Sequence, residues 1–145
     1  MDTQTESPLP YVLFQARFLQ AQDVSVFLEL MFQDLGISAR GYGRYYLREA
    51  VLSYCNDPKQ LLVDGIYQQV AKRAGSACSK YQVEVTVRRT IQNAWKRRNR
   101  EYWMQYFPKC EHLWKKPPTN AQFIAAAAAL VVLWENTGAF APKEM

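Results

Sequence analysis

The chain has 145 residues, of which 49% are hydrophobic, 14% aromatic and 21% charged, enough apolar material for one packed domain and too much for a largely disordered chain. The net charge is +5, and it is unevenly placed: residues 72–116 hold twelve Lys/Arg against three Asp/Glu, while the flanking stretches are slightly acidic. Focused positive charge of this kind favours a polyanionic partner far more than the same charge spread evenly.

Three widely spaced cysteines, Cys55, Cys78 and Cys110, form neither a disulfide framework nor a Cys-x-x-Cys pair. Cys110 and His112 lack the further ligands of a metal site, so no metal and no cofactor are expected, and the thiols read as reduced. The start, Met1-Asp2-Thr3-Gln4-Thr5-Glu6, has no cationic leader, and the longest apolar run, 123–134, is 12 residues, short of the roughly 20 that span a bilayer. A cytoplasmic protein without membrane contact is expected.

In chain order, residues 1–10 carry Pro8 and Pro10 and read as a frayed tail, and 11–20 is apolar and ambiguous between a strand and a helical turn. From Asp23, the residues Val24, Phe27, Leu28, Met31 and Leu35 recur at helical spacing until Gly36 stops them. Gly41 and Gly43 mark a loop, and Leu47, Ala50, Val51 and Tyr54 then repeat at three and four. Asp57 as N-cap and Pro58 as first residue predict a third helix to about Arg73, with Leu61, Leu62, Ile66 and Val70 as its buried stripe. Ser79 and Gln82 have capping-box spacing and open a fourth helix to about Arg98. A short fifth helix over 101–107 ends at Pro108. Lys115-Lys116-Pro117-Pro118 is a loop, and Thr119 with Gln122 caps a last helix over 120–134. That helix is apolar nearly all round, which puts it at the centre of the packing or against another subunit. The sum is a single all-α domain of about six helices over 23–136, with tails at 1–22 and 137–145.

The third and fourth helices carry the functional signal. Ala71-x-x-x-Gly75 puts a small residue at a close crossing and a glycine at the turn, as a helix-turn-helix requires, although ordinary helical hairpins share the pattern. At 100° per residue, Val83, Val87, Ile91, Ala94 and Trp95 face the core. Tyr81, Val85, Arg88, Arg89, Gln92 and Lys96 face outward. Arginine can give guanine two hydrogen bonds, glutamine can pair with adenine, and an apolar group can meet the thymine methyl; a solvated charged face is the competing reading. Glu84 either pairs with Arg88 one turn on or accepts from cytosine N4. Lys96, Arg97, Arg98 and Arg100 form a cationic cluster beyond what a helix C-terminus needs, and phosphate contact is its preferred reading. Lys80 opens the same helix, and Lys115 and Lys116 precede the last one, a second phosphate position. No nucleophile–base set and no phosphate-cradling glycine loop is present, so no enzyme is expected.

The runs Gly36-Ile37-x-Ala39, Gly43-x-x-Tyr46-Leu47-Arg48-Glu49-Ala50-Val51, Asn56-Asp57, Val70-Ala71-Lys72-Arg73, Val83-Glu84, Ala94-Trp95 and Pro118-Thr119-Asn120-x-x-Phe123-Ile124-Ala125 resemble the DNA-binding effector domain of the stage-zero sporulation response regulator. The resemblance covers about residues 24–134. It implies a six-helix domain whose fourth helix enters the major groove at short promoter boxes and which contacts RNA polymerase sigma factor. By position it implies that Glu84 and Arg88 read base edges, with Arg89 beside them, and that Arg40 meets a phosphate. Val85 stands where the family has a base-reading arginine, which implies a different or weaker box. A phosphoacceptor receiver domain, which precedes this effector in the family, has no room in 22 leading residues, and phosphorylation-controlled dimerisation is not expected.

The leading expectation is thus a sequence-specific, nucleoid-associated regulator of transcription that binds double-stranded DNA through helix 80–98. Glu84, Val85, Arg88 and Arg89 would read bases. Arg40, Lys80, Lys96, Arg97, Arg98, Arg100, Lys115 and Lys116 would hold phosphates. Sigma factor and a second copy on DNA are further partners. The alternative is an interaction module that pairs with a full-length regulator or sigma factor without reading DNA, and a third reading is a non-specific nucleic-acid binder.

Overall fold

A computed structural model of the chain describes residues 21–75 and 77–138. Among these residues there are seven α-helices, two π-helical turns and no strand. The tails read at 1–22 and 137–145, and the ambiguous stretch 11–20, lie outside the described residues apart from 21–22 and 137–138.

Helix α1 (Val24–Leu35) begins and ends where its residues predict. The Asp23 carboxylate accepts from the Val26 amide at 3.0 Å, and Gly36, at φ 79°, turns the chain off the helix. Phe27, Leu28, Met31, Phe32 and Leu35 are buried along one face. Helix α2 (Gly43–Asn56) starts on a glycine that the sequence places in the loop. The reason is tertiary. A Cβ at Gly43 would lie 1.9 Å from Thr90 Oγ1, so the glycine is the point where two helices touch. Gly43→Ala and Thr90→Ala are therefore expected to couple by about 1–2 kcal/mol in a double-mutant cycle followed by urea unfolding. Alanine at position 43 should destabilise the Thr90 protein relative to its effect in the Thr90→Ala protein, and simple additivity would remove this contact from the packing.

The third predicted helix is corrected at its start. Asp57 caps a turn, not a helix: its Oδ1 accepts from the Lys59 amide at 3.1 Å, and the Gln60 amide group donates to Ser53 O and Oγ, both at 3.0 Å, folding the turn onto the end of α2. Helical structure resumes as a π-helical turn, Leu62–Tyr67, which continues as α3 (Gln68–Ala74). Leu61, expected on the buried stripe, is 68% exposed, because it is the extended residue before the helix and helical periodicity does not reach it. Ile66 and Val70 are buried as expected, while Leu62 is only half-buried.

Helix α4 (Lys80–Lys96) carries the capping box between Ser79 and Gln82 and ends two residues before the predicted Arg98. Asn99 caps α5 (Arg100–Tyr106) through its side chain. A four-residue helix, α6 (Cys110–Leu113), is too short to show a period in sequence and raises the count from six to seven. The capping box of Thr119 and Gln122 opens α7 (Asn120–Leu133), which runs on into a π-helical turn, Trp134–Gly138.

Helix α7 does sit centrally, packing along α2 and α4 and burying Phe123, Ile124, Ala127, Ala128 and Val131; Val132 and Leu133 are exposed. Its end is fastened by Trp134, stacked on Phe27 at 5.4 Å and 10°. An aromatic cluster of Trp95, Trp103, Phe107, Trp114 and Phe123 joins α4, α5 and α7. Glu29 bridges Arg44 and Arg48, tying α1 to α2, and Glu49 pairs with Arg73 of α3; such partly exposed pairs add little stability but fix register. Among the described residues no helix is long and apolar enough to cross a membrane.

Candidate nucleic-acid interface

The geometry begins at the turn between α3 and α4. Ala71 is buried at the crossing, and Gly75 takes φ 128°, ψ 166°, a conformation that a side chain strongly disfavours. The next helix then opens cleanly, since Ser79 Oγ accepts from the Gln82 amide at 3.1 Å and the Gln82 side chain accepts from the Ser79 amide at 2.8 Å. A second brace holds α4 from behind: the Asn120 side-chain amide donates to Tyr67 Oη at 3.0 Å and to the Glu84 carbonyl at 3.1 Å. Burial pushes the Tyr67 phenol up to about 12, so it remains neutral and able to take part. Asn120 lies in one of the quoted family motifs, but its contact with α4 spans 36 residues and has no local signature.

The two sides of α4 separate as the helical wheel predicts, except that Val85, expected outward, is half-buried. Val83, Val87, Ile91, Ala94 and Trp95 are buried. Tyr81, Arg88, Arg89, Gln92 and Lys96 are exposed, and Glu84 and Val85 are half-buried. Arg88 and Glu84 form the i,i+4 pair at 3.4 Å, with 47% of the Arg88 side chain still open to solvent. Arg89 has no ion-pair partner among the described residues. This outward ridge is flanked by two clefts. One, of about 850 Å³, lies between Tyr81, Val85 and Arg89 and the start of α2. The other, of about 480 Å³, lies between Glu84, Arg88 and Gln92 and the segment from Lys116 to Asn120.

The cations expected at phosphates fall into two groups. Lys96, Lys115, Lys116 and Arg40 are exposed with no ion-pair partner among the described residues. Arg97 is exposed too and donates to the Gly36 carbonyl at 3.3 Å, which brings the end of α4 beside the α1–α2 loop that carries Arg40. The others are engaged by the protein. Lys80 pairs with Asp64 at 2.7 Å and faces the Tyr81 ring, and the Asp64 hydrogen bond raises its pKa. Arg98 lies 3.7 Å above the Trp95 ring and donates to the Trp95 carbonyl at 2.8 Å. Arg100 makes two hydrogen bonds of 2.5 Å to Glu111, which raise the guanidinium pKa and hold the Glu111 carboxyl below the usual range.

Two residues beside the ridge, Tyr42 and Lys72, are not among the sequence-predicted site residues. Tyr42 is 70% exposed and, with Tyr81 of the outward face at 60%, frames the larger cleft. Lys72 is exposed on the last turn of α3, next to the helix-turn-helix turn, and the signals that mark it are its place in the basic stretch and in the Val70-Ala71-Lys72-Arg73 run. Among the described residues no cluster of three or more His, Cys, Asp or Glu side chains is placed to hold a metal ion, and the three cysteines are free.

The family described as Sporulation initiation factor Spo0A C terminal matches residues 28–131, from within α1 to the last turn of α7. The chain belongs to this family. A Spo0A C-terminal domain is the DNA-binding domain of a sporulation transcription factor, a class of protein that is not enzymatic, and its partner is DNA. The helix-turn-helix, both capping boxes and the outward ridge of α4 all lie within the matched residues.

Proposed function

We propose that the chain is a sequence-specific regulator of transcription that inserts α4 into the major groove. The observation that carries the reading is the split of α4 into a buried rear and an outward face on which Arg88 and Arg89 are exposed and Glu84 and Val85 half-buried beside them. A major groove about 12 Å wide admits a helix, and arginine, carboxylate and apolar side chains each discriminate a base there. Affinity comes from phosphate contacts, led by Lys96, Arg97, Lys115, Lys116 and Arg40. Lys80, Arg98 and Arg100 contribute less, since each must first give up a protein partner. Sigma factor and a second copy on adjacent DNA are the proposed protein partners, next to the nucleoid in the cytoplasm.

Selection of bound duplexes from a random pool tests this, with an enriched box as the expected result. Binding without enrichment and with steep salt dependence would mark a non-specific binder. Binding to neither pool would favour the interaction module, which Val85 in place of the family's arginine motivates. The division among cations predicts a salt signature. Arg97→Ala should weaken all duplexes alike and flatten the plot of log K against log salt by about one unit, while Arg100→Ala changes the slope by much less. Equal slopes for both variants would mean that the Glu111 pair does not withhold Arg100 from DNA.

A further inference from the structure

The two flanks of α4 are chemically unlike. Around the smaller cleft, Glu84, Arg88 and Gln92 offer hydrogen-bonding groups and face Lys116. Around the larger one, Tyr81, Val85 and Arg89 repeat at intervals of four and so form one stripe, opposite Tyr42. Tyr42 is stacked on Tyr46 at 5.9 Å and 19°, and the Tyr46 hydroxyl is occupied by a 3.3 Å hydrogen bond shared with Cys78. No described residue lining this cleft is a carboxylate, and Val85 is half-buried within it. The valine side chain has neither donor nor acceptor to offer.

We propose that this stripe reads thymine: Val85, one turn along the stripe from Tyr81, takes the 5-methyl group of a thymine on the strand that faces the larger cleft. The inference rests on α4 lying in the major groove and adds to it a base class and a side. The thymine methyl is the apolar group that base pairs present in that groove, so an apolar side chain without hydrogen-bonding groups has little else to distinguish. The box is then asymmetric, with hydrogen-bonded reading on the Glu84–Arg88 flank and methyl reading on the Val85 flank.

The test uses the full chain and its selected duplex, with each thymine replaced singly by deoxyuridine, which removes the methyl and leaves every hydrogen-bonding group. Fluorescence anisotropy should show about a fourfold loss of affinity at one or two positions, what burial of one methyl group is worth. Val85→Ala should weaken binding to the thymine duplex and abolish the thymine–uracil difference at those positions. A selected box that tolerates uracil everywhere overturns the methyl reading and leaves groove insertion standing, as does a Val85→Ala protein that keeps the same thymine–uracil ratio. If no box is selected at all, groove insertion itself is overturned and the methyl reading goes with it.

Discussion

Trp103→Ala should cost about 3–5 kcal/mol of folding stability, the range for removing a fully buried indole. The ring packs edge-on to Trp95 at 5.4 Å and 84° and against Trp114, Phe107 and Phe123 at 5.9–6.4 Å, so its loss opens a cavity that three elements share. It also leaves the Leu35 carbonyl without the 3.0 Å hydrogen bond from the indole nitrogen, at a buried site where water does not replace it. Domains of this size hold only about 5–15 kcal/mol in all, so the variant should sit near the edge of unfolding at physiological temperature. Trp103→Phe keeps most of the ring contacts and loses the hydrogen bond, and should fall between the two proteins. Urea unfolding followed by circular dichroism measures all three. A loss below about 1 kcal/mol for the alanine variant would mean that the cluster repacks freely around the gap. The expected consequence for DNA binding is indirect: Trp95, the direct neighbour of Trp103, closes the buried rear of α4 and carries Arg98 over its ring. Loosening it frees the C-terminal half of the helix proposed to enter the groove.

What the residues reveal on their own follows from how local the chemistry is. Ser79 with Gln82, and Thr119 with Gln122, announce their helices because the hydrogen bonds they make reach three residues. The five buried positions of α4 are legible because a single period of 3.6 governs them. Asp57-Pro58 misleads for the same local reason: an aspartate that accepts an amide two residues on can open a helix or close a turn, and the Gln60 contact with Ser53 that decides between them is tertiary. Gly43 reads as a breaker because only the position of Thr90, 47 residues away, shows that it is a contact point. The candidate interface divides along the same line. Outward positions on α4 follow from the wheel, whereas the capture of Lys80 by Asp64 and of Arg100 by Glu111 depends on elements 16 and 11 residues away. A count of basic residues therefore overstates the charge that DNA can use.

The second large effect concerns binding, with the fold left almost untouched. Arg88→Ala should cost about 1–3 kcal/mol on the preferred box and relax selectivity at one base pair. Its stability should change by no more than about 0.5 kcal/mol, because the 3.4 Å pair with Glu84 is loose and half in solvent. That dissociation of binding from stability sets it apart from Trp103→Ala, in which both fall together. Arg88→Lys should restore charge without restoring selectivity, since an ammonium cannot present the paired donors that fit guanine O6 and N7. The salt slope should be near that of the unaltered protein for both variants, as a base contact releases few counterions. Glu84 sharpens the comparison. A carboxylate beside the phosphate backbone repels DNA in general, so Glu84→Gln should bind random duplexes more tightly while discriminating the box less well. Competition of selected against random duplex for the three variants reads all of this. An Arg88→Ala loss that is equal on every sequence, accompanied by a slope lower by one, would move that guanidinium from the base edges to the backbone and leave Glu84 and Val85 as the readers.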